Sequence, residues 1–86
     1  MAAHLVAPLG IFSEHDGLLE ITQILGDDPC AHRLSALGFC AGKRVMVIRR
    51  GDPAILSVGG SRFALAGELQ ERIYACPVHP RVGKSA

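Results

Sequence analysis

The sequence predicts a mainly β domain, a small, partly open barrel of five short strands with one helix after the first strand and a helical turn before the last. Two observations lead to this expectation. Short apolar runs alternate with glycine, proline and aspartate turns, and two of the runs are joined by Gly59-Gly60, the two-residue connection of a β-hairpin. The 86 residues suffice for one domain with a modest, mainly aliphatic core, because Trp is absent and Phe and Tyr are few.

Residues 1–17 are predicted to form an N-terminal arm. Its apolar residues, among them Leu9 and Phe12, are interrupted by proline and glycine, so we expect an extended segment on the domain surface or on a neighbouring copy. The apolar run is too short for a signal peptide or a membrane span. We therefore expect a cytoplasmic protein without direct membrane insertion, and self-association stays open.

The first strand is predicted over residues 18–25, and a short helix is predicted after it. Asp28 can accept a hydrogen bond from a backbone N–H of the first helical turn. Pro29 falls at the first helical position, where its missing N–H costs nothing. These two residues together fix the start of the helix.

The end of this helix is predicted at Gly38. The apolar residues of the helix recur at helical spacing, and they are Ala31, Leu34 and Leu37. Gly38 supplies a left-handed stop, after which Phe39 should pack back on Leu34.

The most apolar strand is predicted over residues 43–50. Val45 and Val47 face one side, and Met46 and Ile48 face the other. A strand that is apolar on both faces is normally buried on both, so we expect it in the middle of the barrel.

The hairpin over residues 54–58 and 61–65 follows from its turn. Pairing through the two glycines sets Val58 opposite Ser61 and turns Arg62 away from the core. The core face should then carry Leu56, Val58, Phe63 and Leu65.

The rest of the chain is predicted to be a helical turn, a strand and a tail. Residues 66–71 form the turn, and residues 73–78 form the last strand. Residues 79–86 have little to bury and should form a flexible C-terminal tail. The barrel domain therefore spans residues 18–78.

The ordered motifs of the chain resemble the FeoA family of ferrous iron transport proteins over residues 18–78. The matching residues are Asp28-Pro29, Arg33-Leu34, Leu37-Gly38-Phe39, Gly42, Val45-x-Val47-x-Arg49-Arg50, Val58-Gly59-Gly60-Ser61-Arg62-Phe63-Ala64-Leu65 and Ile73. The combination in this order is specific, whereas no single piece is.

The resemblance implies an SH3-like β-barrel that serves as an accessory or regulatory protein of bacterial ferrous iron uptake. In this interpretation the protein docks on the cytoplasmic part of FeoB, the membrane GTPase permease for ferrous iron. Position along the chain indicates a contact surface around the helix and its stop, together with nearby arginines. The predicted contact residues are Arg33, Leu37, Phe39, Arg49, Arg50 and Arg62.

A metal-sensing or metal-binding domain is the alternative interpretation. Thiolate and imidazole are the donors that zinc and iron accept, and two pairs have suitable spacing: Cys76 with His79, and Cys30 with His32. Neither pair alone fills a tetrahedral site, so no cofactor is required by the sequence. The simpler interpretation is thiols beside surface histidines, and three cysteines do not form a disulfide framework.

The sequence argues against an enzyme and against nucleic-acid binding. It contains no nucleophile with a matched base, no paired carboxylates in an apolar setting and no phosphate-binding glycine loop. A net charge of +1 and few aromatic residues offer little to a phosphate backbone or to stacked bases.

Overall fold

The computed structural model describes residues 5–78 and confirms the mainly β prediction, with one strand more than the predicted five. Six strands form one antiparallel sheet in the order β1-β6-β2-β3-β4-β5, which does not close among the described residues. The predicted tail, residues 79–86, lies outside that range. The elements are β1 (Ala7–Pro8), β2 (Leu18–Ile24), α1 (Pro29–Ala36), β3 (Arg44–Arg49), β4 (Ala54–Val58), β5 (Ser61–Leu65), α2 (Gly67–Gln70) and β6 (Ile73–Pro77).

The additional strand comes from the N-terminal arm. β1 pairs with Tyr74 and Ala75 of β6, and a 3₁₀ helix over Leu9–Ile11 follows at once. This turn brings Leu9 and Phe12 into the core, where each side chain is buried. The expectation that these two residues lie on the surface is wrong, because the inner side of β6 needs an apolar cover that the arm provides.

The central strand β3 is buried on one face only. Val45 and Val47 belong to the core, whereas Met46 and Ile48 are about 40% exposed. The prediction of burial on both faces is therefore wrong. A domain of this size packs its arm and its helix on one side of the sheet, and no second layer covers the other side among the described residues.

The predicted hairpin is confirmed, including its register. Gly59 and Gly60 have φ values of 57° and 86°, as a type I′ turn requires. Val58 lies opposite Ser61, as predicted. The core face is also confirmed, with three of its four residues buried and the fourth, Phe63, half-buried.

The helices of the described range are short. None of them has the length and apolar character needed to cross a membrane.

Candidate functional site

The start of α1 is fixed by the side chain of Asp28. Its Oδ1 accepts a hydrogen bond from the N–H of Ala31 at 3.2 Å, which confirms the predicted cap. The Arg72 guanidinium donates to both carboxylate oxygens, at 2.6 and 2.9 Å. These bonds to Arg72, followed by the bond from Ala31, lower the pKa of Asp28 to about 2. The charge pair ties the helix to the residue that precedes β6.

The end of α1 has the two hydrogen bonds of a Schellman motif. The N–H of Phe39 donates to the carbonyl of Leu34, and the N–H of Gly38 donates to that of Ser35, both at 3.0 Å. Gly38 has a φ of 107°, a conformation that favours glycine. Phe39 is fully buried, and its ring meets Phe63 edge-on at a centroid distance of 5.4 Å. The structure therefore gives Phe39, a predicted contact residue, a role in the core.

The exposed side of α1 carries Arg33 and Leu37, which we call the helix patch. The two residues are four apart and so share one face of the helix. Leu37 shares its apolar helical spacing with the buried Ala31 and Leu34, but it is 46% exposed. The reason is the stop at Gly38, which turns the chain so that Phe39, and not Leu37, packs beside Leu34.

The end of β3 and the loop that follows carry Arg49 and Arg50, which we call the loop patch. Both are exposed, and with residues 51–53 and Ile55 they line a depression of about 370 Å³. The loop is held by polar contacts. Asp52 Oδ1 accepts from the N–H of Gly67 at 2.7 Å, and buried Gln70 donates through Nε2 to the Gly51 carbonyl at 2.9 Å. These hydrogen bonds thus fix the backbone of the loop that follows Arg49 and Arg50.

The outer face is the side of β2, β3, β4 and β5 that is turned away from the core. Its register rows are Leu18–Met46–Ser57–Arg62 and Arg49–Ile55–Ala64. Arg62 is exposed on this face, as predicted. Arg44 lies on the same face, with its Nε 3.7 Å from Glu20 Oε1. The face is therefore apolar in its middle and basic around it.

The structure separates the helix patch from the loop patch along β4. Arg49 lies opposite Ile55 near the start of the strand. Gly38, next to the helix patch, lies near Val58 at its end, since a Cβ on this glycine would be 3.9 Å from Val58 Cγ1. The three-residue step from Ile55 to Val58 spans roughly 10 Å. A partner that contacts both patches must cover that distance.

The candidate metal ligands that the structure describes do not come together. His79 lies outside the described residues, and within them no three His, Cys, Asp or Glu side chains form a group that could hold a metal. His32 Nε2 lies 3.1 Å from Asp27 Oδ1 on the surface. Cys30 is in the first turn of α1, whereas Cys76 lies opposite Glu20 towards the other end of β6. Zinc or iron therefore has no fitting set of donors in the described part of one chain.

Sequence reasoning missed the exposed apolar residues Met46 and Ile48. The signal was present, because a chain of 86 residues cannot readily cover both faces of a sheet. The flanking Arg44 and Arg49 also indicate a strand whose ends reach water.

The sequence matches the model of one protein family, described as the FeoA domain, over residues 14–76. This range covers well over half of the chain. A search among curated proteins finds no significant match.

Solved structures of FeoA proteins are similar to this one. An iron uptake regulatory protein, FeoA, superposes with a TM-score of 0.79 at 28% identity, covering 86% of this chain and all of that one. Stenotrophomonas maltophilia FeoA in complex with zinc, described as a prokaryotic SH3 domain protein, has a TM-score of 0.68 at 27% identity, covering 80% and 88%. Chlorobium tepidum FeoA, at 22% identity and a TM-score of 0.75, covers 88% and 74% and supports the fold alone. The expected SH3-like fold agrees with these structures.

Proposed function

The chain belongs to the FeoA family, and we propose that it is a cytoplasmic accessory or regulatory protein of ferrous iron uptake that docks on the cytoplasmic part of a FeoB-type permease. It acts as a binding module and not as an enzyme. The family is linked to ferrous iron transport, and the S. maltophilia protein is described in connection with activation of that transport. Docking is the further step that this proposal adds.

The observation that carries the proposal is the loop patch. Arg49 and Arg50 are exposed side by side at the rim of a depression, and their loop is anchored through Asp52 and Gln70. Arginine is enriched in protein interfaces, since its planar group binds carboxylates through two hydrogen bonds. A fixed backbone also lowers the entropy that such a contact loses on binding.

The test measures binding of the purified, reduced protein to membranes that contain FeoB. Arg49→Glu with Arg50→Glu should weaken binding by about tenfold or more, as loss of an interface hot spot does. Lys43→Glu with Arg44→Glu is the matched control, because it makes the same change of charge at the opposite, also exposed start of β3. Equal weakening by both variants, or no binding of the wild-type protein, would contradict the proposal.

The metal-binding alternative rests on one observation, the zinc in the complex of S. maltophilia FeoA. If this alternative holds for the present chain, membrane binding requires added metal, is removed by a chelator and is lost in Cys76→Ser. The docking proposal expects binding to survive the chelator and that substitution. Membrane binding measured with a chelator and with Cys76→Ser therefore distinguishes the two proposals.

A further inference from the structure

The strand β5 forms one edge of the sheet. It pairs with β4 on one side, and within residues 5–78 no strand pairs with it on the other. Among the described residues, no backbone hydrogen bond outside the β4–β5 ladder involves Arg62 or Ala64. A strand with one unpaired side is a template for a further strand.

The type I′ turn determines which backbone groups of β5 are free. In a two-residue hairpin the residues that flank the turn form a hydrogen-bonded pair, and alternate residues do so along the ladder. Ser61, Phe63 and Leu65 therefore direct their N–H and C=O groups to β4. Arg62 and Ala64 direct theirs to the open side, where they offer two donors and two acceptors.

The side chains around this edge define the chemistry of a partner strand. On the outer face, Arg62 is exposed. Its neighbours across the sheet in the same register row are Ser57 of β4 and the exposed Met46 of β3. On the inner side, the half-buried Phe63 ring is accessible at the edge of the core. A strand added here would place alternate side chains beside the guanidinium and beside the aromatic ring.

The charge of the outer face favours an acidic partner. Its described cations are Arg44, Arg49 and Arg62, and its described carboxylate, that of Glu20, already lies beside Arg44. A second copy of the chain fits less well, because two paired β5 strands would bring both Arg62 side chains onto one face, where like charges repel.

We propose that the edge of β5 binds an extended peptide segment of alternating acidic and apolar residues by strand addition. The backbone of Arg62 and Ala64 pairs with the segment, carboxylates approach Arg62, and apolar side chains cover Phe63. Strand addition of this kind combines backbone hydrogen bonds for affinity with alternate side chains for specificity. The inference rests on the proposed function, since it identifies the kind of segment through which a docking partner would bind.

The first test uses a soluble synthetic peptide of alternating glutamate and valine, and two variants at one residue. Ala64→Pro removes the outward N–H and leaves the ladder to β4 intact, since proline is tolerated on the open side of an edge strand. Ala64→Val keeps the N–H and serves as the matched control. We expect calorimetry to show affinity reduced about fivefold to tenfold in Ala64→Pro, and close to the wild-type value in Ala64→Val. Equal affinity in the two variants would refute strand addition.

The second test needs no variant that changes the backbone. Hydrogen exchange in the wild-type protein should show slower exchange of the Arg62 and Ala64 amides when the glutamate–valine peptide is added. Protection of these amides that rises with protein concentration, without peptide, would identify a second copy as the occupant and overturn the proposal. Failure of the peptide to protect them would also overturn it.

The third test addresses charge. Arg62→Glu should weaken binding of the glutamate–valine peptide and strengthen binding of a matched lysine–valine peptide, whereas salt should weaken the wild-type interaction. If Arg62→Glu still preferred the glutamate–valine peptide over the lysine–valine peptide, the proposal of an acidic partner would be wrong. Because these experiments contain no membranes, their failure is separate from failure of the proposed docking on FeoB.

Discussion

The two edges of the sheet differ in how the chain completes them. At one edge β1 has two residues, and the chain then turns through Leu9 and Phe12 into the core. At the other edge β5 has five residues, Arg62 and Ala64 are exposed, and no described strand pairs with its open side. The first edge is thus joined to the packing that stabilises the domain, whereas the second, which has no strand partner in the described range, is the edge proposed to bind a peptide.

The largest expected effect tests whether the β1 edge carries the stability. Phe12→Ala removes a buried ring and should lower the free energy of unfolding by about 3–5 kcal/mol. Met46→Ala, on the exposed outer face of β3, should lower it by only about 0.5 kcal/mol. Urea denaturation measures both. Similar losses in the two variants would mean that the β1 edge contributes no more to stability than the exposed outer face.

A smaller effect is expected at Gln70, which lies between the two edges. Its Nε2 donates to the carbonyl of Leu65 at the end of β5 and to that of Gly51, and its Oε1 lies near Gly10 of the arm. Gln70→Ala leaves two carbonyls without this donor and should reduce the free energy of unfolding by about 1–3 kcal/mol.

The control for Gln70 is Gln23→Ala, which removes an exposed amide on β2. We expect it to change the free energy of unfolding by less than about 0.5 kcal/mol. An equally small effect of Gln70→Ala would mean that the buried amide of Gln70 does not stabilise the contact between the two edges.

The sequence prediction is accurate where a structure is determined by residues that are neighbours in the chain. The cap at Asp28, the stop at Gly38 and the type I′ hairpin each depend on a few neighbouring residues whose backbone preferences are strong. The burial of Phe12 could not be predicted in this way, because it depends on the distant strand β6. Tertiary packing there overrides the breaker residues that suggested an extended arm on the surface.

Prediction of the candidate site was limited for the same reason. The arginines of the loop patch are exposed, as charged residues usually are. Their separation from the helix patch depends on the β3–β4 register, which the sequence does not specify around the irregularity between Val47 and Arg49. The sequence predicts Phe39 both against Leu34 and on the contact surface, and the Schellman motif turns its ring into the core, which agrees with the first of these predictions.

The smallest expected effect is the pH dependence of stability. It arises at Arg72, which directly precedes β6, the strand that pairs with β1. Arg72 lowers the pKa of Asp28 in the folded state to about 2, below the ordinary value of 3.8. A carboxyl whose pKa is lower in the folded state stabilises fully above its unfolded pKa, and this contribution disappears as the pH falls from about 3.8 through about 2. Asp28→Asn keeps a capping side chain but loses the charge. Its urea midpoint should therefore lie below that of the wild type at pH 6 and approach it near pH 2. A constant difference between Asp28→Asn and the wild type across this range would mean that the bond to Arg72, although short, does not stabilise the β1 side through charge.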